Sequence, residues 1–185
     1  MVYILLGAGF EEAEALVAAD VLRRGEIPVS LAGIGGEWVA GSHGITVKAD
    51  LPVEGVALKE GDMVVLPGGM GGVASIEGSG EAMALVRGAA ENPGCWLAAI
   101  CAAPTLLARA GLLPQGGRCV CYPGMEGELS QAGAVPAMDQ AAVREGMLIT
   151  GKGPGTAFDF ALALVEALAG AERAGQVRAG LHYGV

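Results

Sequence analysis

The sequence predicts an α/β protein: a parallel sheet with helices on both faces. Three observations predict it. Short apolar runs such as Val2-Tyr3-Ile4-Leu5-Leu6 and Met63-Val64-Val65-Leu66 are continuous rather than alternating, as in strands buried on both faces. Helical patterns alternate with these runs, as they do where crossover helices join parallel strands. The chain has 185 residues, 52% of them hydrophobic and 17% charged, enough for one substantial core and too apolar for a disordered chain. A single domain over 1–185 is expected, with no internal repeat and no long linker.

Val2–Leu6 reads as the first buried strand. Glu12–Arg24 follows as an amphipathic helix, with Leu16, Val17 and Ala19 set against Asp20, Arg23 and Arg24. Pro28–Ala32 is the second strand. Residues 33–51, punctuated by Gly33, Gly35, Gly36, Gly41 and Gly44, read as a small antiparallel excursion. Met63–Leu66 is the third strand and ends in a glycine-rich loop, Pro67–Gly72; a helix is expected over Gly80–Glu91. Trp96–Ile100 is the fourth strand, with a helix over Pro104–Ala110. Arg118–Cys121 and Met147–Thr150 are later strands, and Thr156–Leu168 is a final amphipathic helix. The apolar stretch from Cys95 to Leu113 approaches the length of a membrane span, but Pro104 and Arg109 interrupt it. It reads as strand, sharp turn and helix, so no membrane partner is expected.

Eleven Lys+Arg against twenty Asp+Glu give a net charge of −9, which argues against a phosphate-gripping nucleic-acid surface. No cationic leader opens the chain, so its four cysteines are expected as reduced thiols in a cytoplasmic protein. No CxxC or Cys/His cluster suggests a metal site.

In such a sheet, ligands bind at the carboxyl ends of the strands, at a switch in strand order. Three loops fall at such ends: Gly7–Glu14, Pro67–Gly72 and Cys101–Pro104. Cys101 sits where Leu97-Ala98-Ala99-Ile100 breaks into Ala102-Ala103-Pro104 and a helix, the layout of a nucleophile elbow. The helix terminus beyond it is expected to favour the thiolate. A buried, inert thiol is the bland alternative, and it is the reading for Cys95, Cys119 and Cys121. The loop Gly68-Gly69-Met70-Gly71-Gly72 lacks phosphate-loop spacing. It is either a tight turn or a place where the Gly69 N–H approaches the Cys101 sulfur and forms an oxyanion hole with the Ala102 N–H. Glu11, Glu12 and Glu14 are either first-turn acids or an acid/base partner, and the residues alone do not choose among them. His43 and His182 read as surface histidines.

Three segments together resemble the ThiJ/PfpI family in its DJ-one branch. They are Gly9-Phe10-Glu11-Glu12-Ala13-Glu14, Leu66-Pro67-Gly68-Gly69, and Ala98-Ala99-Ile100-Cys101-Ala102-Ala103-Pro104-Thr105. Ile149-Thr150-Gly151-Lys152-Gly153-Pro154-Gly155-Thr156, followed by Phe158 and Phe160, resembles the same branch. The motifs stand in family order and span nearly the whole chain. The resemblance implies a flavodoxin-like three-layer sandwich with a mostly parallel sheet, related to the class I glutamine amidotransferases, in a homodimer. It implies that Cys101 is the oxidation-prone nucleophile, that Glu14 is its protonatable partner, and that Gly69 and Ala102 supply oxyanion-hole amides. Arg24, His43, Gly68 and Pro154 would line the pocket, His43 standing where relatives carry an Arg.

Two departures shape the expected activity. The proteolytic branch has His directly after the cysteine; Ala102 stands there, so peptidase activity is not expected. Relatives acting on glyoxals carry a His about a strand before the Gly-Pro-Gly segment, and the matching stretch, Gly133-Ala134-Val135, has none. The expectation is a cofactor-free, metal-free, cysteine-dependent stress-response protein acting on methylglyoxal, glyoxal or glycated proteins. The alternative is a redox sensor or chaperone that uses oxidation of Cys101 without turnover.

Overall fold

The computed structural model describes residues 1–184; Val185, the last residue of the expected domain, lies outside them. Strand β1 (Val2–Leu6) leads into α1 (Glu12–Arg24), β2 (Val29–Gly33), a hairpin of β3 (Trp38–Ala40) and β4 (Thr46–Lys48), and β5 (Leu51–Pro52). Then come β6 (Met63–Leu66), α2 (Met70–Gly78), α3 (Gly80–Glu91), β7 (Trp96–Ile100) and α4 (Ala103–Arg109). The last third holds β8 (Arg118–Cys119), α5 (Glu126–Gln131), β9 (Val135–Pro136), β10 (Ala142–Glu145), β11 (Leu148–Gly151) and α6 (Ala157–Gly180).

The main sheet has the order β10-β11-β7-β6-β1-β2-β5 and is parallel except for its edge strand β10, which runs antiparallel to β11. The central strands β2-β1-β6-β7-β11 follow the doubly wound, flavodoxin-like order 2-1-3-4-5. Because the crossover from β1 to β2 runs opposite to that from β6 to β7, right-handed connections put their helices on opposite faces. Accordingly α1 packs against α6 on one face, and α2 packs against α3 and α4 on the other. The expected three-layer α/β sandwich is what forms.

Its core explains the continuous apolar runs: every residue of β6 and β7 is buried, as strands covered on both faces require. The Cys95–Leu113 stretch is β7, the elbow and α4. The segment Pro154–Gly180 is itself long and apolar enough to cross a membrane. It buries Phe160, Ala161, Leu164 and Val165 in the core, and Gly170 at φ 85° breaks the helix, so it is built into the sandwich instead.

Several local expectations change. The second strand is shifted by one residue, to Val29–Gly33. Arg118–Cys121 does not join the main sheet; β8 pairs with β9 in a small parallel ladder of its own. The Pro67–Gly72 loop is half helix, because α2 begins at Met70 despite Gly71 and Gly72, poor helix formers. Space explains them: α2 crosses the β1 loop so closely that a Cβ on Gly72 would lie 2.6 Å from the Phe10 Cα. The short helix α5 had no periodic signal, and the last helix runs beyond Leu168 to Gly180 through its kink.

Candidate active site

The sheet order switches direction at β1, and the loops after β1, β6 and β7 open at that end. Cys101 immediately follows β7. Its φ is 66°, a left-handed conformation uncommon for a residue with a Cβ. Both flanking peptides are tied down: the Cys101 N–H donates to the Gly151 carbonyl (2.9 Å), and its carbonyl accepts from the Tyr122 N–H (2.8 Å). The sharp turn predicted as an elbow is therefore a bent backbone held from both sides, with only 8% of Cys101 exposed.

Glu14 comes from the first turn of α1 and is buried to 1% exposure. Its Oε2 accepts the Gly68 N–H at 2.6 Å, while its Oε1 is buried without a hydrogen-bond partner. Gly68 lets the carboxyl and thiol meet. A Cβ there would lie 2.6 Å from the Cys101 Cβ, 3.0 Å from its Sγ and 2.7 Å from Glu14 Oε2. The backbone N–H groups of Ala102 and Gly69 favour the thiolate form of the sulfur, and are the pair that would serve as an oxyanion hole.

Burial pushes the Glu14 carboxyl up to about 7, and the charge of Glu11 adds to the rise, against the Gly68 N–H and the Cys101 thiol. Burial also pushes the Cys101 thiol up to about 12; the Glu14 charge and its acceptor oxygen act the same way, and the Ala102 and Gly69 N–H groups oppose them. The amides at the helix starts favour the thiolate, but burial and Glu14 outweigh them and keep the proton on sulfur. Two of the three effects that hold the proton on sulfur vanish once Glu14 is protonated. The thiolate belongs to the state in which the carboxyl carries the shared proton, and Oε1 is the oxygen free to take it.

The neighbouring acids are differently employed. Glu11 caps α1, its Oε2 accepting the Glu14 N–H at 2.8 Å, and its own N–H donates to the Gly68 carbonyl at 3.0 Å. Glu12 turns to the β3–β4 hairpin. Its Oε1 accepts the His43 and Ile45 N–H groups (2.7 and 3.3 Å), and its Oε2 meets the Ser42 hydroxyl and His43 Nδ1 (3.1 and 3.0 Å). Burial raises the Glu12 carboxyl, but the His43 ring and the His43, Glu12 and Ile45 N–H groups outweigh it and hold it at about 2. A Cβ on Gly41 would overlap this carboxylate. Glu11, Glu12 and His43 bring one donor atom each within 4.8 Å and form the metal-compatible group found among the described residues. Both Glu12 oxygens are already committed to the hairpin.

Of the expected pocket residues, Gly68 is at the centre and His43 sits on the hairpin loop beside Glu11 and Glu12. Pro154 is exposed, three residues beyond Gly151. Arg24 does not reach the site within its own chain. It lies ten residues along α1 from Glu14, about 15 Å along the axis, and pairs with Asp20 at 2.8 Å. Ala134 is buried between α5 and β9 with its N–H on the Leu129 carbonyl. Tyr122 meets the elbow through its backbone, its N–H bonding the Cys101 carbonyl, while its half-exposed ring lies against Gly153. Its signal was a fourth strand-end loop, Tyr122-Pro123-Gly124, after an apolar run.

Comparison with known proteins gives concordant results. The DJ-1/PfpI family model matches residues 1–167. Protein dj-1beta of Drosophila melanogaster is 42% identical over 179 residues, 96% of this chain and 94% of that protein. Its crystal structure superposes with a TM-score of 0.91 at 40% identity, covering 100% of this chain and 98% of that one. The glutathione-independent glyoxalase DJR-1.2 of Caenorhabditis elegans is 35% identical over 165 residues, 88% of this chain and 85% of that protein. The structure of oxidized Toxoplasma gondii DJ-1 has a TM-score of 0.90 at 31% identity, covering 100% of this chain and 98% of that one.

Proposed function

The chain belongs to the DJ-1/PfpI family, and from that premise we propose that it is a cysteine-dependent stress-response protein that converts methylglyoxal and related aldehydes without a cofactor. One observation carries the reading: a buried carboxyl with an unpartnered oxygen stands against a cysteine held in a left-handed backbone, its thiolate favoured by the Gly69 and Ala102 N–H groups. That set can move one proton repeatedly between carbon, oxygen and sulfur.

Glu14 takes the thiol proton, and the sulfur attacks the aldehyde carbon. The resulting oxyanion is held by the Gly69 and Ala102 N–H groups and is protonated by Glu14, giving a hemithioacetal. Glu14 then removes the carbon-bound proton and delivers it to the adjacent carbonyl carbon by way of the enediol, while the hydroxyl proton passes from the first oxygen to the second. The aldehyde carbon is oxidised as its neighbour is reduced, so no external oxidant enters. Water hydrolyses the lactoyl thioester, releasing lactate and the thiol.

The similarity to a glutathione-independent glyoxalase supports this reading, and glycated proteins are the corresponding larger substrate class. We read the protein as cytoplasmic, in keeping with four free cysteines, and as a homodimer; exposed Met70 and Tyr122 stand beside the site as apolar surface for a second copy. A second reading, a redox sensor, draws on the same donors. A Cys101 sulfinate would be held by the two amides and by protonated Glu14. The test is lactate formation from methylglyoxal. Wild type should turn over, Cys101→Ala should not, and Glu14→Gln should lose about 10²–10⁴-fold, the range of general acid–base catalysis. Equal rates in wild type and Cys101→Ala would overturn the enzymatic reading.

A further inference from the structure

The two amides that favour the Cys101 thiolate belong to different helices. Gly69 is the N-cap of α2 and Ala102 the N-cap of α4, so the spacing of α2 and α4 sets the spacing of the donors. Neither helix is stiff by itself. Helix α2 has nine residues with glycines at 71, 72 and 78, and α4 has seven.

At their far ends one side chain joins them. Arg109, the last residue of α4, grips Glu77 of α2 with two parallel bonds, Nε to Oε1 at 3.1 Å and Nη2 to Oε2 at 3.0 Å. Its remaining nitrogen, Nη1, donates to Thr105 Oγ1 at 3.0 Å and to Glu128 Oε2 of α5 at 2.9 Å. The Thr105 hydroxyl is buried and donates in turn to the Ala102 carbonyl at 2.8 Å. A planar fork bound at two oxygens fixes direction as well as distance, unlike an ordinary surface ion pair.

We propose that Arg109 is a positioning residue for the oxyanion hole: its fork on Glu77 and its Thr105-mediated bond to Ala102 hold α2 and α4 so that the Gly69 and Ala102 amides converge on Cys101. The inference rests on reading Cys101 as the nucleophile, but not on any substrate. A guanidinium near a thiol also acts through its charge, and that alternative predicts different signs.

The test is the pH profile of Cys101 alkylation by iodoacetamide, followed by peptide mapping, with melting temperature measured in parallel. The groups facing the sulfur, Glu14 and behind it Glu11, stay intact in every variant. A charge effect requires Arg109→Met to raise the alkylation midpoint and Glu77→Gln, which removes a negative charge, to lower it. Positioning requires both to raise it. We expect both variants to titrate at higher pH and to react about three- to tenfold more slowly at pH 7, the scale of a partly lost charge-assisted hydrogen bond. Thr105→Val should give a smaller shift the same way. Glu128→Gln, which releases only α5, should leave the profile at the wild-type position. A Glu77→Gln midpoint at or below wild type overturns the proposal, as does a fall in melting temperature with no shift in the profile. Absence of methylglyoxal turnover in wild type would overturn the proposed activity and leave this profile standing as its own result.

Discussion

Glu12 and Glu14 stand two residues apart in the first turn of α1, both buried, yet they are held at opposite ends of the carboxylate range. Two residues on a helix are about 200° apart, so the side chains face different neighbourhoods. Glu12 meets the hairpin loop, where two N–H groups, a hydroxyl and an imidazole satisfy both its oxygens, and it sits at about 2. Glu14 meets a glycine loop and a thiol, with one strong donor and one orphaned oxygen, and it sits at about 7. Burial alone therefore does not set the charge of an acid; the number of donors that burial brings with it does. The first carboxylate holds structure together, and the second is kept incompletely satisfied for chemistry.

Glu12→Ala attacks the structural half and should have the largest effect. It strands the His43 and Ile45 N–H groups and the Ser42 hydroxyl, at a cost of about 2–4 kcal/mol. Urea denaturation at neutral pH would measure it; a loss below about 1 kcal/mol would mean that water replaces the carboxylate freely.

Glu14→Gln attacks the other half, and its sign depends on pH. The wild-type carboxyl is raised from 4.5 to about 7, so the folded state binds more protons than the unfolded state between those values. Wild-type stability should therefore fall as pH rises from about 4.5 to about 7, by at most about 3 kcal/mol. Glutamine removes that penalty. The variant should gain stability over wild type at pH 9, show no such gain at pH 4, and still be the poorer catalyst. Glu12 contributes the opposite slope: its stabilisation is present above 4.5 and is lost as pH falls toward about 2. Thermal scans across pH 3–9 that show no gain for Glu14→Gln at the alkaline end would undo the contrast.

The smallest expected effect is that of His43→Ala. It deletes the exposed imidazole contact but keeps the residue-43 N–H bond to Glu12, so the loss should stay under about 1 kcal/mol. A larger loss would move the weight of the latch from backbone to ring.

Local signals made much of the site legible. Cys101, Gly69 and Ala102 lie where apolar runs end, and strand ends sit together in a doubly wound sheet whatever the details. Glu14 needed the family resemblance, because a first-turn acid looks the same whether it caps, latches or transfers protons. What escaped depended on contacts with no period. Tyr122 reaches the elbow because the Val120 N–H bonds the buried Thr150 hydroxyl at 3.0 Å, folding that segment over the end of β11. Helix α2 escaped because its glycines argue against a helix unless the crossing with Phe10 is known. Arg24 was placed at the pocket by motif, whereas the length of α1 carries it away from Glu14 within its own chain.

The left-handed backbone at Cys101 bears on how such a protein drifts under mutation. Glycine would occupy that conformation without the steric cost of a Cβ, so selection for folding alone would pull position 101 toward glycine. The flanking peptide bonds to Gly151 and Tyr122 would hold the turn equally well around either residue. A cysteine at this position is thus disfavoured by the fold that houses it. The thiol is a trait maintained against the gradient of stability, and a lineage that no longer needed its chemistry would be free to lose the sulfur while keeping the sandwich intact.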